Sequence, residues 1–176
     1  IEFPGHENFS DYHRDLDIEK AVSSVSYKAN GITYKRELFT SFSDDVIIVK
    51  LTANKKKSIS FSLSATCPQV LSNFRTQENK LFFEGTSGSA DNKIGKVKFV
   101  GEAACTLKGG NLTSTADKLI IKDADEVIIR IAIAKNFKNY KDLSGNPSEK
   151  AAEVIAKAVK KNYAESYQNH VASYQK

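Results

Sequence analysis

The chain has no methionine and no tryptophan, and only two cysteines and three prolines in 176 residues. A translated chain begins with methionine, so Ile1 reads as a processed or cut end, and neither the charged nor the apolar region of a signal peptide follows it. The expectation is that part of a parent protein is missing. Cys67 and Cys105 fit neither a CxxC motif nor a zinc ligand set; a secreted protein would pair them, and two buried thiols are the other reading. No apolar run approaches the ~18 residues of a membrane-spanning helix. The best, Val127 to Ala134, is interrupted by Arg130.

What is present describes a globular chain. Hydrophobic residues make up 40% and charged residues 27%, which excludes wholesale disorder. The length predicts one domain able to hide roughly 70% of its unfolded surface. The net charge of +5 is uneven: residues 1–45 carry nine acids against five bases, so the remainder carries +9. Those bases gather at Lys55-Lys56-Lys57, Lys93 to Lys98 and Lys160-Lys161. A nucleic-acid site wants bases interleaved with aromatics on one face. The Lys55–57 run has no aromatic neighbour and falls where strands should be joined, so it reads as solvated surface and nucleic acid is not expected as a partner.

Alternation with a period of two dominates residues 12 to 135. In Ser58-Ile59-Ser60-Phe61-Ser62-Leu63-Ser64-Ala65 one face is apolar and the other is serine, as in a half-buried antiparallel strand. Val127, Ile129, Ile131 and Ile133 repeat the pattern, with Arg130 on the opposite face. Val46-Ile47-Ile48-Val49 is apolar on both faces, which predicts a central strand covered on each side. Asn30-Gly31, between Tyr27-Lys28-Ala29 and Ile32-Thr33-Tyr34, is a type I′ hairpin signal. Further strands are expected near Tyr12–Ile18, Leu81–Thr86, Lys96–Thr106 and Leu119–Lys122. Turn-rich pieces lie at Ser43-Asp44-Asp45, Gly85 to Gly95, Gly109-Gly110-Asn111 and Asp123-Ala124-Asp125. This spacing of turns predicts an antiparallel two-sheet β-sandwich.

The pattern changes at Asn146-Pro147-Ser148. Ser148 followed by Ala151, Val154, Ile155, Ala158 and Val159 reads as a capped amphipathic helix. A second helical stretch places Tyr163, Tyr167, His170, Val171 and Tyr174 on one side and reaches Lys176 without a C-cap glycine. Its apolar face should meet either the sandwich or something beyond this chain.

No constellation of catalytic type emerges. Asp44-Asp45 and Asp123/Asp125/Glu126 are the acid clusters, and both fall in expected turns, where Asp bonds its own backbone. The second also lacks the glycine and spaced oxygens of a calcium loop. His6, His13 and His170 show no HxH or HExxH spacing, and the glycines from Gly85 to Gly95 contain no phosphate-binding GxxxxGK motif. No catalytic, cofactor or metal residue is assigned. A row of exposed aromatics for sugar stacking has Phe137, Tyr140 and Tyr163 as its candidates.

Several phrases stand out together in one order. They are Phe3-Pro4-Gly5-His6-Glu7, then Asp11-Tyr12-His13-Arg14-Asp15-Leu16-Asp17-Ile18 with Ala21. Val25, Tyr27, Asn30-Gly31, Thr33-Tyr34, Arg36-Glu37, Phe39 and Ser41 follow, then Ser43 to Ala53. Tyr163, Tyr167, His170 and Tyr174-Gln175 complete the set. Together they resemble glycoside hydrolase family 95, the α-L-fucosidases and their α-L-galactosidase relatives, and the likeness is thin over residues 67–118. His13 stands where that family usually has Arg or another long residue.

The resemblance implies a galactose-mutarotase-like super-sandwich over residues 1–145, lacking upstream strands. Residues 146–176 would be a helical linker leading to an (α/α)6 barrel absent from this chain. The barrel would hold the inverting machinery, a Glu acid and a water assisted by Asn or Asp, so the fragment alone would catalyse nothing while its parent would cleave fucosyl or galactosyl linkages. The implied partners are that barrel and, through it, a fucose-containing glycan, with no cofactor and no membrane. A sheet edge left open at Ile1-Glu2-Phe3 would invite a homodimer. The relatives imply a secreted or periplasmic location. Two alternatives stay open: a carbohydrate-binding module, and an interaction domain unrelated to glycosidases.

Overall fold

Asn30 and Gly31 both take positive φ, 50° and 76°, and turn β2 (Val22–Ala29) into β3 (Ile32–Ser41), as a type I′ hairpin requires. This hairpin belongs to the larger of two antiparallel sheets in the computed structural model, which describes residues 1–69 and 71–176. β1 (Phe9–Asp17) lies outside β2, and β4 (Val46–Ala53) follows β3. The sheet continues through β11 (Glu126–Lys135), β8 (Lys98–Lys108) and β7 (Lys80–Thr86) to β6 (Leu71–Gln77). The smaller sheet is β5 (Ile59–Leu63), β10 (Leu119–Ala124) and β9 (Asn111–Ser114), in that order.

The principal core lies between the sheets. Ile59, Phe61 and Leu63, alternate residues of β5, join Leu119 and Ile121 of β10 in facing Val49, Leu51, Cys105, Val127 and Ile129 of the large sheet. Each fully buried aliphatic side chain here contributes about 1.5–3 kcal/mol of transfer free energy. Ile48, one residue from Val49, points the other way into a second core with Val46, Phe39 and Ala132. That face is covered by α1 (Pro147–Ala158) and α2 (Tyr163–Tyr174), through Ile155, Ala158, Tyr163 and Tyr167. β4 is the doubly covered strand its sequence predicts, and the apolar helix faces meet the sandwich itself.

Three details differ from expectation. Asn146, not Ser148, caps α1: its side chain accepts from the Glu149 N–H, and Pro147 occupies the first turn, where a missing N–H costs nothing. Asn111 opens β9 once Gly109 and Gly110, at φ 68° and 71°, have made the turn. β6 was not foreseen because Leu71-Ser72-Asn73-Phe74-Arg75-Thr76-Gln77 has no apolar alternation, and as an outer strand it pairs with β7 alone.

Candidate functional site

Three of the acids singled out in the sequence are engaged by neighbouring side chains and backbone. Asp44 accepts from the Ser41 hydroxyl and from the Lys161 ammonium, pinning the β3–β4 turn to the end of α1. Asp125 accepts from the Lys57 N–H at 2.8 Å, and Glu126 is paired with Lys50 at 3.0 Å. Among the described residues no three His, Cys, Asp or Glu side chains gather as a metal site. Both cysteines are free; burial pushes the Cys105 thiol up to about 12, which leaves it inert as a nucleophile.

The three candidate aromatics lie in different settings. Phe137 and Tyr140 are exposed in the segment after β11, each beside a lysine ammonium, Lys135 and Lys141. Tyr163 is wedged between α2 and the sheet, 5.8 Å from the Phe39 ring and 6.0 Å from the Tyr167 ring, with Lys50 over its face. Burial raises its phenol above the ordinary range. Among the described residues no ring contact joins Phe137, Tyr140 and Tyr163 to one another, so the structure does not gather them into a platform.

The histidines are likewise separate, and two of them anchor clusters that sequence spacing did not reveal. The first surrounds Tyr27. His6 Nδ1 is 2.8 Å from the Tyr27 hydroxyl, and Arg36 Nη2 donates to the same oxygen at 3.1 Å. The Tyr27 hydroxyl thus joins the His6 ring to the Arg36 guanidinium. Burial and the nearby guanidinium lower the His6 pKa, so the ring is neutral near pH 7. Tyr34 stacks on Tyr27 at 5.5 Å, and Phe3 stacks on His6 at 5.0 Å while touching Phe61 of the second sheet. The Arg36 guanidinium lies over Phe3 at 4.5 Å from the ring centre. Beside the cluster is a recess of about 210 Å³ lined by His6, Phe9, Tyr12, Val25, Tyr27 and Arg36.

The second feature is an apolar cleft of about 560 Å³, at the end of the β2–β3 ladder, where pairing begins with Ser23 opposite Leu38. Phe39 and His170 form its inner wall, and Leu16, Leu38, Phe42 and Tyr174 its outer rim. Those rim side chains are 62%, 42%, 86% and 54% exposed.

Residues 1–140 match the family model described as glycosyl hydrolase family 65, N-terminal domain. The chain belongs to this family. As a glycosyl hydrolase N-terminal domain it is similar to alpha-L-fucosidase 2 of Arabidopsis thaliana, 27% identical over 94% of the chain and 22% of that protein. It is also similar to a probable alpha-fucosidase A of Aspergillus niger, 22% identical over 93% of the chain and 22% of the relative. The chain therefore spans about a fifth of the length of these relatives. A putative kojibiose phosphorylase from the human microbiome shares the fold, with a TM-score of 0.66 at 11% identity, covering 95% of this chain and 25% of that one.

Some of the residues that carry the fucosidase likeness fasten distant parts of the fold to one another. Gly5, at φ 79°, presents its carbonyl to the Asn30 side chain at 2.9 Å, which sets His6 above Tyr27. At the other end of the domain, the Gln175 amide donates to the Glu19 carbonyl at 3.0 Å and closes α2 onto the β1–β2 turn. The wide spacing of these positions in sequence reflects contacts between distant strands.

Proposed function

We propose that this glycosyl hydrolase N-terminal domain does no bond-breaking itself and serves as the body on which the catalytic part of a longer glycosidase seats. The observation that carries this reading is the cleft rim. Leu16, Leu38, Phe42 and Tyr174 are large apolar side chains in contiguous exposure beside the last helix, and a surface of that kind marks an interface. In the two acid clusters, Asp44, Asp125 and Glu126 are bound to Ser41, Lys161, Lys57 and Lys50, which supports a structural role for them. The names of the two fucosidase relatives favour an α-L-fucoside as the parent's substrate.

Paired substitutions test this. Phe42→Asp with Leu16→Asp is expected to leave residues 1–176 as stable as before, within about 0.5 kcal/mol, because both side chains are already in water. In the extended parent the same pair should lower the thermal midpoint and the turnover of an aryl α-L-fucoside. Equal tolerance in both proteins, or aryl fucoside hydrolysis by residues 1–176 alone, would overturn the reading.

A further inference from the structure

The recess beside Tyr27 has a composition that its structural role does not require. Its polar lining is His6, the donor-only Arg36 guanidinium and the hydroxyls of Tyr12 and Tyr27. The Tyr27 hydroxyl is engaged by both His6 Nδ1 and Arg36 Nη2, whereas His6 Nε2 and the remaining guanidinium nitrogens of Arg36 have no hydrogen-bond partner among the described residues. The Arg36 Nε is buried without a partner, and among the described residues no carboxylate stands within ion-pair distance of this guanidinium. A part-buried cation normally finds an acceptor. The other wall is aromatic. Phe9 and Tyr12, 5.8 Å apart on the outermost strand, are 56% and 55% exposed, although an unbroken strand would send residues three apart to opposite faces. The β-bulge between Ser10 and His13, with Asp11 at φ 51°, re-aims this stretch and puts Tyr12 on the same face as Phe9, over Val25 and Tyr27.

Donors without acceptors, next to exposed rings, suit a ligand with an apolar face and an oxygen-rich edge. A sugar ring has both: axial C–H groups that lie on aromatic faces and hydroxyl and ring oxygens that accept from Arg and His. At about 210 Å³ the recess is below the ~300 Å³ at which drug-sized pockets begin, so it suits one ring and not a chain. We propose that this recess binds a single pyranose residue of a glycan, stacked on Tyr12 and Phe9 and hydrogen-bonded by Arg36 and His6. The site is independent of the apolar cleft and of the docking role assigned to it, since the two features share no lining residue.

The test is a titration of isotopically labelled residues 1–176 with methyl α-L-fucopyranoside and, separately, methyl α-D-galactopyranoside, followed by amide and aromatic NMR shifts. Saturable shifts centred on His6, Phe9, Tyr12, Tyr27 and Arg36, with a Kd of roughly millimolar order, are expected for one ring. A response to only one of the two sugars supports the site and identifies its stereochemical preference. Tyr12→Ala, at an exposed position that should not disturb folding, is expected to weaken binding about three- to tenfold. Arg36→Gln should weaken it further, and Tyr140→Ala should leave it unchanged. No saturable shift with either sugar, shifts centred on Phe137 and Tyr140 instead, or undiminished affinity in Tyr12→Ala and Arg36→Gln would overturn the proposal.

Discussion

The ring of His170 lies against that of Phe39, with centroids 4.7 Å apart and planes 25° from parallel. From that position its Nε2–H donates to the Lys20 carbonyl at 2.9 Å, across 150 residues of sequence. One side chain of α2 thus holds both the centre of β3 and the β1–β2 turn. His170→Ala should cost about 2 kcal/mol, combining a net hydrogen bond with an aromatic contact. His170→Phe should recover part of the loss, because the ring contact returns while the Lys20 carbonyl stays unpaired. Urea unfolding of the three proteins measures this; equal stabilities would contradict the assigned role.

Arg130 is 2% exposed in the middle of β11, where Nη1 donates to the Thr106 hydroxyl at 3.1 Å and Nη2 to the Lys161 carbonyl at 2.8 Å. The second bond fastens the connection between α1 and α2 to the sheet. Arg130→Ala leaves a cavity and an orphaned carbonyl, and should cost about 3 kcal/mol. Arg130→Met, which fills the space, should cost less. A chemical denaturation curve for each variant checks the order, and an Arg130→Ala protein as stable as the parent would refute it.

Acid sensitivity should trace in part to Asp17. Its carboxyl is held below the usual carboxylate range, first by the Lys20 ammonium at 2.7 Å and also by the Lys20 and Glu19 N–H groups. A group whose folded pKa is depressed stabilises the protein above its unfolded value, near ~3.9 for Asp, and the contribution is lost as pH falls through the folded value. Asp17→Asn should therefore flatten the fall in unfolding midpoint between about pH 5 and pH 2. An unchanged slope would mean that the turn does not contribute.

Thiol chemistry should separate the two cysteines. Cys105 is 1% exposed between the sheets, with its thiol raised to about 12 by burial, while Cys67 is half-buried. A thiol reagent added to native protein is expected to label Cys67 quickly and to reach Cys105 only after denaturant. Rapid labelling of both, or of neither before reduction, would contradict the packing described.

Much of this domain was readable before any coordinates. Ser58 to Leu63 alternates because one face meets the larger sheet, and Asn30-Gly31 turns because Asn and Gly accept positive φ at little cost; local patterns of this kind are written into consecutive residues. β6 and β9 were hidden because outer strands need little apolar alternation, and the two-faced burial of β4 predicted covering layers without showing that α1 and α2 supply one of them. The sites were less readable. Phe137, Tyr140 and Tyr163 were grouped by closeness in sequence, whereas His6, Tyr27 and Arg36 meet because β2 and β3 pair and the N-terminal segment folds over them.

The sequence by itself determined the strand periodicity, the hairpin, the amphipathic helices and the kinship to fucosidases, since each depends on the order of neighbouring residues. Only the tertiary structure decided that Arg130 and His170 are buried anchors, that Tyr163 is a wedge, and that a donor-lined recess forms beside Tyr27. Such outcomes depend on which distant segments share a face, and pairing across a sheet brings together residues whose separation along the chain carries no mark of the contact.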